Sequence, residues 1–336
     1  MKAVVLREGG RLHVEDWPRP SAGPGELLLR LRGCGLCGSD IAKVAAPLPG
    51  PALVLGHELV GDVVQAGAGV ERFRVGERVV AAHHVPCGRC HYCRRGSASM
   101  CREFKTSNLD PGGFAEYVRV PAANVEHATF RIPAHVDDET ASFVEPLACC
   151  LRAVRRAPVE AGDTVVVIGL GSIGCLFVQL ARRAGARVAG VDPLPERAAL
   201  ARQLGAAAAG APESVADRVA ELSERRGADQ VIVTGGGADV LPWAAARVRD
   251  GGTIHYFAGG GGSVLPLALA ELYHRELTLT STYSSSPADL ADAFRMIVAG
   301  DVAVAPLVSQ RVGLDGLAEA LDRMRRRETL KVFVTP

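Results

Sequence analysis

A glycine-rich turn between an apolar β-branched run and an amphipathic stretch most constrains the fold. The run 164–168 leads into Gly-Leu-Gly-Ser-Ile-Gly at 169–174, and the stretch beyond it closes before Gly185. A second β-branched run then ends at Asp192. A strand, a G-x-G-x-x-G turn, a helix and an acidic residue after the next strand are typical of a dinucleotide-binding βαβ unit in a doubly wound parallel sheet.

Each residue of this turn has a predicted task. Gly169 permits the tight turn, Gly171 lets a pyrophosphate approach the backbone, and Gly174 allows close packing of helix on strand. A carboxylate at Asp192 accepts hydrogen bonds from ribose hydroxyls and repels a 2′-phosphate, which favours NAD over NADP, whereas Arg197 favours the opposite. The alternative is a plain turn with an exposed aspartate. The predicted cofactor-binding residues are Gly169, Gly171, Ser172, Ile173, Gly174, Asp192 and Arg197.

The rest of the second half keeps the same rhythm. β-Branched runs at 230–234, 253–257 and 277–281 alternate with helical stretches and glycine-rich turns. Alternation of this kind predicts an α/β fold with a parallel sheet, the Rossmann arrangement. A chain of 336 residues is long enough for a second domain with its own core.

Four cysteines close together predict a structural zinc site. Cys87, Cys90, Cys93 and Cys101 follow the spacing C-x2-C-x2-C-x7-C, which lets one short lobe surround a tetrahedral ion. Four thiolates leave no position for water or substrate, so chemistry has to occur elsewhere. The alternatives are scattered core cysteines or disulfides of a secreted chain, but interleaved arginines fit a buried apolar cluster poorly.

Charge and hydropathy narrow the function classes. Lys and Arg number 38 against 37 Asp and Glu, a net charge of +1, so a zinc-finger protein that binds nucleic acid is disfavoured, as is binding to an anionic membrane. The N-terminus has no long apolar core of a signal peptide, and no apolar run is long enough to span a bilayer. With nine cysteines treated as thiols or metal ligands, we expect a cytoplasmic protein.

A second set of metal ligands lies in separate segments. Cys37 occurs in GLCGSD, His57 and Glu58 stand together in VLGHELVG, and Glu145 interrupts the apolar stretch SFVEPLACC. Cys37, His57 and Glu145 make a three-ligand set with a fourth position free, the arrangement of a catalytic zinc. Separately, each also fits a blander role as a buried thiol, a hydrogen-bonded histidine or a capping glutamate.

In order along the chain, these motifs resemble the zinc-dependent medium-chain dehydrogenase/reductase (alcohol dehydrogenase) family, over essentially the whole length. The resemblance is to the branch of sorbitol and other polyol dehydrogenases, threonine dehydrogenase and aminocyclitol dehydrogenases. It implies a GroES-like β-rich catalytic domain at 1–150 with the zinc lobe at 87–101, an NAD-binding Rossmann domain at 151–283, and a return of 284–336 to the catalytic domain.

The resemblance also implies the chemistry. The catalytic zinc, held by Cys37, His57 and Glu145 with Glu58 as a ligand that alternates with water, lowers the pKa of a substrate hydroxyl, and hydride passes to NAD. A second zinc is structural, giving two per chain. Ser39 resembles the hydroxyl that passes on the released proton.

This chain differs from the family pattern at the residue that would receive the proton after Ser39. Ala42 stands where many family members carry a histidine. We expect His84 to take that role or to contact substrate, and His83 is the less favoured neighbour. The alternative is a pair of surface histidines beside the zinc lobe.

The implied function is hydride transfer between a secondary alcohol, such as a polyol or aminocyclitol, and NAD. The segment 38–56 is short and its part 45–51 is proline-rich, so we expect it to widen the substrate cleft for a cyclic or sugar-derived alcohol. Alternatives are an L-threonine 3-dehydrogenase-like enzyme, a zinc-independent NADPH quinone or enoyl reductase, and a non-catalytic relative. The resemblance implies a homodimer or homotetramer, and 253–257 with the glycines 259–262 is the candidate border of the interface between its subunits.

Overall fold

The computed structural model describes residues 1–48, 50–237, 240–259 and 268–336. Pro49, in the segment expected to widen the cleft, and the glycines 260–262 of the candidate oligomer border lie outside these residues.

The strands alternate with helices along most of the chain. In chain order the strands are β1 Lys2–Arg7, β2 Arg11–Asp16, β3 Leu27–Leu36, β4 Leu53–Val54, β5 Glu58–Ala66, β6 Arg78–Ala81, β7 Tyr117–Val120, β8 Thr129–Arg131, β9 Thr164–Ile168, β10 Arg187–Val191, β11 Ala208–Gly210, β12 Ala228–Val233, β13 Val248–Tyr256, β14 Thr278–Ser281, β15 Val308–Gly313 and β16 Lys331–Thr335.

The helices are, in the same order, α1 Gly38–Ala45, α2 His91–Arg94, α3 Arg102–Thr106, α4 Ala122–His127, α5 Asp138–Ser142, α6 Val144–Arg156, α7 Ser172–Arg183, α8 Pro195–Gln203, α9 Pro212–Leu222, α10 Val240–Ala245, α11 Leu269–His274, α12 Pro287–Ala299 and α13 Leu317–Arg325. Short 3-10 helices occur at Ala98–Met100, Ala305–Leu307 and Leu314–Gly316.

The described residues divide into two compact units. The first contains Met1–Ala148 together with Ser285–Pro336, and the second contains Cys149–Ser284. The C-terminal segment therefore returns to the unit in which the chain begins.

The second unit is built on a six-stranded parallel sheet in the order β11-β10-β9-β12-β13-β14. Every side chain of β9 is buried, as expected for a strand covered by helices on both faces. The predicted runs at 164–168, 187–192, 230–234, 253–257 and 277–281 each overlap one of its strands, with ends that differ by at most one residue apart from the earlier starts of β12 and β13. The prediction of a doubly wound α/β fold is thus confirmed.

The first unit is rich in β-structure. Its seven-stranded sheet has the order β15-β16-β3-β5-β6-β8, with β7 also paired to β3, and a smaller sheet has the order β2-β1-β4. Except for the parallel pair of β15 and β16, these strands are antiparallel. Leu29, Leu59 and Val332 contribute to its buried core, which joins both parts of the chain.

The pairing of β16 with β3 places the C-terminus beside the first candidate ligand. Val332 is opposite Leu36, and Phe333 is opposite Gly35, in the antiparallel register. Lys331 begins β16 just beyond the end of β3, where Cys37 follows. A residue near position 330 can therefore contact the segment that carries Cys37.

No helix among the residues that the structure describes has the length and apolar character needed to cross a membrane.

Candidate active site and metal centres

Three potential metal ligands meet in the first unit. The ligand atoms of Cys37, His57 and Glu58 all lie within 4.8 Å of one another. Cys37 is half-buried and precedes α1, whereas His57 and Glu58 are buried where β5 begins. A thiolate, an imidazole and a carboxylate are donors that zinc accepts, so the set fits this ion.

Glu145, the third predicted ligand, lies outside this group of atoms. It is buried in the first turn of α6. Its carboxylate is close enough to help raise the pKa of Lys331. The structure thus brings two predicted ligands together with Glu58, and it places the buried Glu145 within electrostatic range of the same region.

Asp40, which no sequence motif singled out, lies next to two of the ligands. One carboxylate oxygen accepts the backbone N–H of Cys37 at 3.1 Å, and the other lies 3.5 Å from His57 Nδ1. Burial would lower the pKa of His57, but the charge and hydrogen bonding of Asp40 and Cys37 raise it well above its usual value. Asp40 therefore faces Nδ1 of the ring, and Nε2 is the nitrogen left for a metal.

Lys331 is a second functional candidate that no sequence motif indicates. Its Nζ lies 2.6 Å and 2.8 Å from the two carboxylate oxygens of Glu58 and donates to the carbonyl of Leu36 at 3.2 Å. Lysine and glutamate are both buried. Burial lowers the pKa of Lys331, but Glu58 and Cys37 outweigh it and raise the value above normal.

The two histidines predicted as relay candidates form a row with His57. The ring centroids of His57 and His83 are 4.6 Å apart, and those of His83 and His84 are 3.8 Å apart. The buried His83 is therefore the direct neighbour of His57. His84 is half-buried, and its ring centroid lies 4.9 Å from that of Phe104.

His84 is held in one tautomer by a backbone contact. Its Nδ1 lies 2.6 Å from the carbonyl oxygen of Ser107, so Nδ1 carries the proton and Nε2 is the accepting nitrogen. Burial lowers the pKa of His84 to about 4, and the nearby charge of Lys43 contributes. The imidazole is neutral at pH 7.

Ser39 and Ala42 lie on α1, and both are exposed. Ser39 is in the first turn, two residues after Cys37.

The pKa of His83 is well below its usual value. Burial lowers it most, and the positive charge of Lys43, on α1, adds to the effect. Lys43 next to Ala42 thus acts electrostatically on the histidine row.

The four-cysteine lobe has the geometry of a metal site. The sulfurs of Cys87, Cys90, Cys93 and Cys101 lie within 4.8 Å of one another. Cys90 and Cys93 are 3.5 Å apart, and Cys87 and Cys93 are 3.9 Å apart. A tetrahedral zinc with Zn–S bonds of about 2.3 Å separates its sulfurs by roughly 3.8 Å, so the lobe fits a structural zinc.

Burial opposes ionisation in the lobe, but local N–H groups favour it at Cys101. Although burial raises its pKa, the backbone N–H groups of Cys87 and Phe104 lower the pKa of Cys101 to about 6. A thiolate at this position is the form that a metal binds.

Two glycines of the turn at 169–174 stand where a side chain does not fit, and a third stands in open space. Gly169 has φ +87°, where a side chain is strained, and a Cβ on Gly174 would lie 1.8 Å from the carbonyl oxygen of Gly169. A Cβ on Gly171 would meet no atom within 4 Å. Helix α7 begins there without a side-chain cap, so its first N–H groups are available to an anion. The turn therefore fits a pyrophosphate.

Asp192 stands just after β10, at the position predicted for the ribose contact. It is buried, and its two carboxylate oxygens accept the N–H groups of Leu170 at 2.8 Å and Leu194 at 3.0 Å. Arg197 Nη1 lies 3.7 Å from the same carboxylate. Asp192 and Arg197 are thus brought together beside the turn.

Two family models match the chain. The alcohol dehydrogenase GroES-like domain matches residues 23–133, and the zinc-binding dehydrogenase family matches residues 172–299. The first falls within the β-rich unit, and the second covers α7 and most of the parallel sheet.

Relatives align over the whole chain. Sorbitol dehydrogenase of Halalkalibacterium halodurans is 30% identical, covering 100% of this chain and 99% of that protein. L-threonine 3-dehydrogenase of Rhizobium rhizogenes is 30% identical, covering 99% and 98%. The structure of a zinc-binding dehydrogenase from Sinorhizobium meliloti bound to NADP has a TM-score of 0.89 and 32% identity, covering 100% and 99%.

Proposed function

The chain belongs to the zinc-containing medium-chain dehydrogenase/reductase family, and we propose that it transfers a hydride between a polar secondary alcohol and NAD. As a member it is a zinc-dependent oxidoreductase acting on CH–OH groups. The observation that carries the proposal is the meeting of the ligand atoms of Cys37, His57 and Glu58 within 4.8 Å of one another.

We assign the catalytic zinc to Cys37, His57 and Glu145, with Glu58 as an alternating ligand. The thiol and imidazole donors lie together, and Glu145 is a buried carboxylate whose charge acts on the same region. Bound zinc supplies a Lewis acid that lowers the pKa of the substrate hydroxyl. We assign a second, structural zinc to the four-cysteine lobe, whose sulfur separations support it.

The chain's own residues orient the ligands and move the proton. Asp40 accepts the backbone N–H of Cys37 and places its second carboxylate oxygen 3.5 Å from Nδ1 of His57. We assign Ser39 as the first proton carrier and His84 as its partner, because Nδ1 of His84 is engaged by Ser107 and Nε2 is left to accept. The position of His83 beside His57 makes it the alternative partner.

NAD is the proposed cofactor. Gly169, Gly171, Gly174 and the N–H groups of Ser172 and Ile173 would hold the pyrophosphate, and the fixed carboxylate of Asp192 disfavours a 2′-phosphate. Because Arg197 faces Asp192 and one similar structure binds NADP, NADP is the second candidate.

The proposed substrates are polyols, aminocyclitols and related secondary alcohols. Relatives at 30% identity include a sorbitol dehydrogenase and an L-threonine 3-dehydrogenase, so L-threonine is the competing substrate. Both compounds carry a secondary hydroxyl among other polar groups. A zinc-independent reductase is disfavoured because both sets of zinc ligands are present.

We propose a homodimer or homotetramer in the cytoplasm. Strand β14 is one of the two edge strands of the parallel sheet; Leu279 on it and Tyr283 just after it have large exposed side chains. An edge strand with apolar neighbours is a common place for a second copy to pair. Size-exclusion chromatography with light scattering tests this assembly.

The decisive experiment is NADH formation by zinc-loaded protein with polyols, aminocyclitols, L-threonine and simple secondary alcohols, repeated with NADP. Expected results are turnover with one polar class and two zinc ions per chain. Cys37→Ser should lose activity and one zinc, whereas the matched change Cys149→Ser, outside both ligand groups, should keep both. Zinc-loaded protein that oxidises no secondary alcohol in the panel would contradict the proposal.

A further inference from the structure

We propose that Lys331 is a positioning residue that holds Glu58 away from the catalytic metal and so keeps one coordination position open. This inference rests on the proposed function. It is drawn from the buried ion pair in which the Nζ of Lys331 donates to both carboxylate oxygens of Glu58, at 2.6 Å and 2.8 Å.

The ion pair crosses a strand. Lys331 lies on β16 and Glu58 on β5, and both strands pair with β3 between them. Gly35 on β3 is opposite Glu58, and a Cβ there would lie 2.1 Å from Glu58 Oε2. The missing side chain makes room for the carboxylate between the two outer strands.

Lys331 also contacts the segment that carries the thiolate ligand. Its Nζ donates to the carbonyl of Leu36, which directly precedes Cys37. One ammonium group therefore ties together the backbone before Cys37 and the carboxylate after His57, at a point where the ligand atoms of Cys37, His57 and Glu58 are already within 4.8 Å.

The competition follows from charge. A buried carboxylate is costly unless a cation neutralises it; Glu58 has the ammonium of Lys331 in contact, and a metal bound by Cys37 and His57 would be a second cation. With Lys331 present, both oxygens of Glu58 are occupied by its ammonium group. Without it, the metal is the remaining cation, and Glu58 together with Cys37, His57 and Glu145 would complete four protein ligands.

Four protein ligands make a closed site, which binds zinc well and catalyses poorly. The inference therefore predicts opposite changes in two properties. Removing the charge of Lys331 should strengthen zinc retention and weaken catalysis, whereas a residue that only stabilises the fold would weaken both.

The test compares Lys331→Met and Lys331→Arg with the unaltered protein. In Lys331→Met we expect zinc release to a chelator to slow by about tenfold or more, and kcat/KM to fall by about 10- to 100-fold. Cobalt(II) substituted at the site should give a changed visible spectrum, with the four-cysteine lobe as an unchanging reference. Lys331→Arg keeps the charge and should restore most of each property.

The double variant Glu58→Gln/Lys331→Met supplies the second comparison. Since a neutral amide does not replace the carboxylate as a ligand, zinc release and the cobalt spectrum should match those of Glu58→Gln alone, and kcat/KM should agree within about threefold. The double variant remains a usable protein if Lys331→Met does not fold, because it removes both charges of the buried ion pair and leaves neither without its partner.

A folded Lys331→Met protein that loses zinc as fast as the unaltered protein, with an unchanged cobalt spectrum, would overturn the inference. A further tenfold loss of kcat/KM when Lys331→Met is added to Glu58→Gln would also overturn it. Failure of the proposed function is a different result, since it would appear in the unaltered protein as the absence of alcohol oxidation or of zinc in the first unit.

Discussion

A Cβ atom on Gly35 would lie 2.1 Å from Oε2 of Glu58, closer than any two such atoms can approach. Gly35 is buried in β3, directly opposite Glu58 on β5. The carboxylate therefore occupies the space that a side chain at position 35 would fill. The position of a candidate metal ligand thus depends on the absence of a side chain on the neighbouring strand.

Gly35→Ala should displace Glu58 and strain its ion pair with Lys331. We expect the free energy of unfolding to fall by about 1–3 kcal/mol, the usual cost of overpacking, with an altered rate of zinc loss to a chelator. Gly38→Ala is the matched control, because a Cβ there meets no atom within 4 Å and alanine favours the helix. Equal stability of the two variants in denaturant titrations would show that the site relaxes freely.

The parallel sheet was predictable because its signals are local. The β-branched run before Gly169, the glycines of the turn and Asp192 stand close together in sequence, and each reports a requirement of the backbone next to it. The four cysteines are equally local, since one short lobe brings their sulfurs together. In both cases, spacing along the chain is enough to predict proximity in space.

Lys331 was not predictable in the same way. It is separated from Glu58 by 273 residues, and only the return of β16 to β3 brings them together. Nothing in the surrounding residues distinguishes this lysine from a solvated one. Asp40 carried a weaker signal, an acidic residue three positions after Cys37 at the start of a helix, which also fits simple helix capping.

Asp40→Asn should weaken the metal site without emptying the structural lobe. Asparagine can still accept the N–H of Cys37, but it loses the charge that faces His57 Nδ1. We expect zinc affinity at the catalytic site to fall by about 10- to 100-fold, the usual effect of losing a carboxylate behind a histidine ligand. Competition with a chromophoric chelator measures it, and Asp217→Asn on the exposed face of α9 is the control.

Asp192→Asn should shift cofactor preference. Its carboxylate is fixed by the N–H groups of Leu170 and Leu194, so its negative charge is held where a 2′-phosphate would come. We expect KM for NAD to rise about tenfold and the ratio of kcat/KM for NADP over NAD to increase, because Arg197 no longer faces a carboxylate. Unchanged ratios in steady-state assays would remove Asp192 from the basis of selectivity.

Cys93→Ser should remove the structural zinc alone. Its sulfur lies 3.5 Å from that of Cys90 and 3.9 Å from that of Cys87, so the lobe loses a central ligand. We expect zinc content to fall by one ion per chain and the thermal midpoint to fall by about 5 °C or more. Cys149→Ser, outside the lobe, is the control for thiol loss, and metal analysis with calorimetry distinguishes the two.

His255 should make the second unit less stable in acid. It is buried on β13, with Nε2 3.1 Å from Thr282 Oγ1, and burial together with the charge of Arg156 lowers its pKa to about 4. An unfolded histidine has a pKa of about 6.5, so between pH 6.5 and 4 the unfolded chain takes up a proton that the folded chain refuses. The free energy of unfolding therefore decreases as pH falls through this window, by at most about 3 kcal/mol from this residue.

Denaturant titrations at pH 7 and pH 5 test this effect. His255→Gln should reduce the difference in the free energy of unfolding between the two pH values, whereas His13→Gln, on an exposed strand, should leave that difference unchanged. If the free energy of unfolding changes equally between pH 7 and pH 5 in His255→Gln and in the unaltered protein, protonation of His255 does not destabilise the folded state.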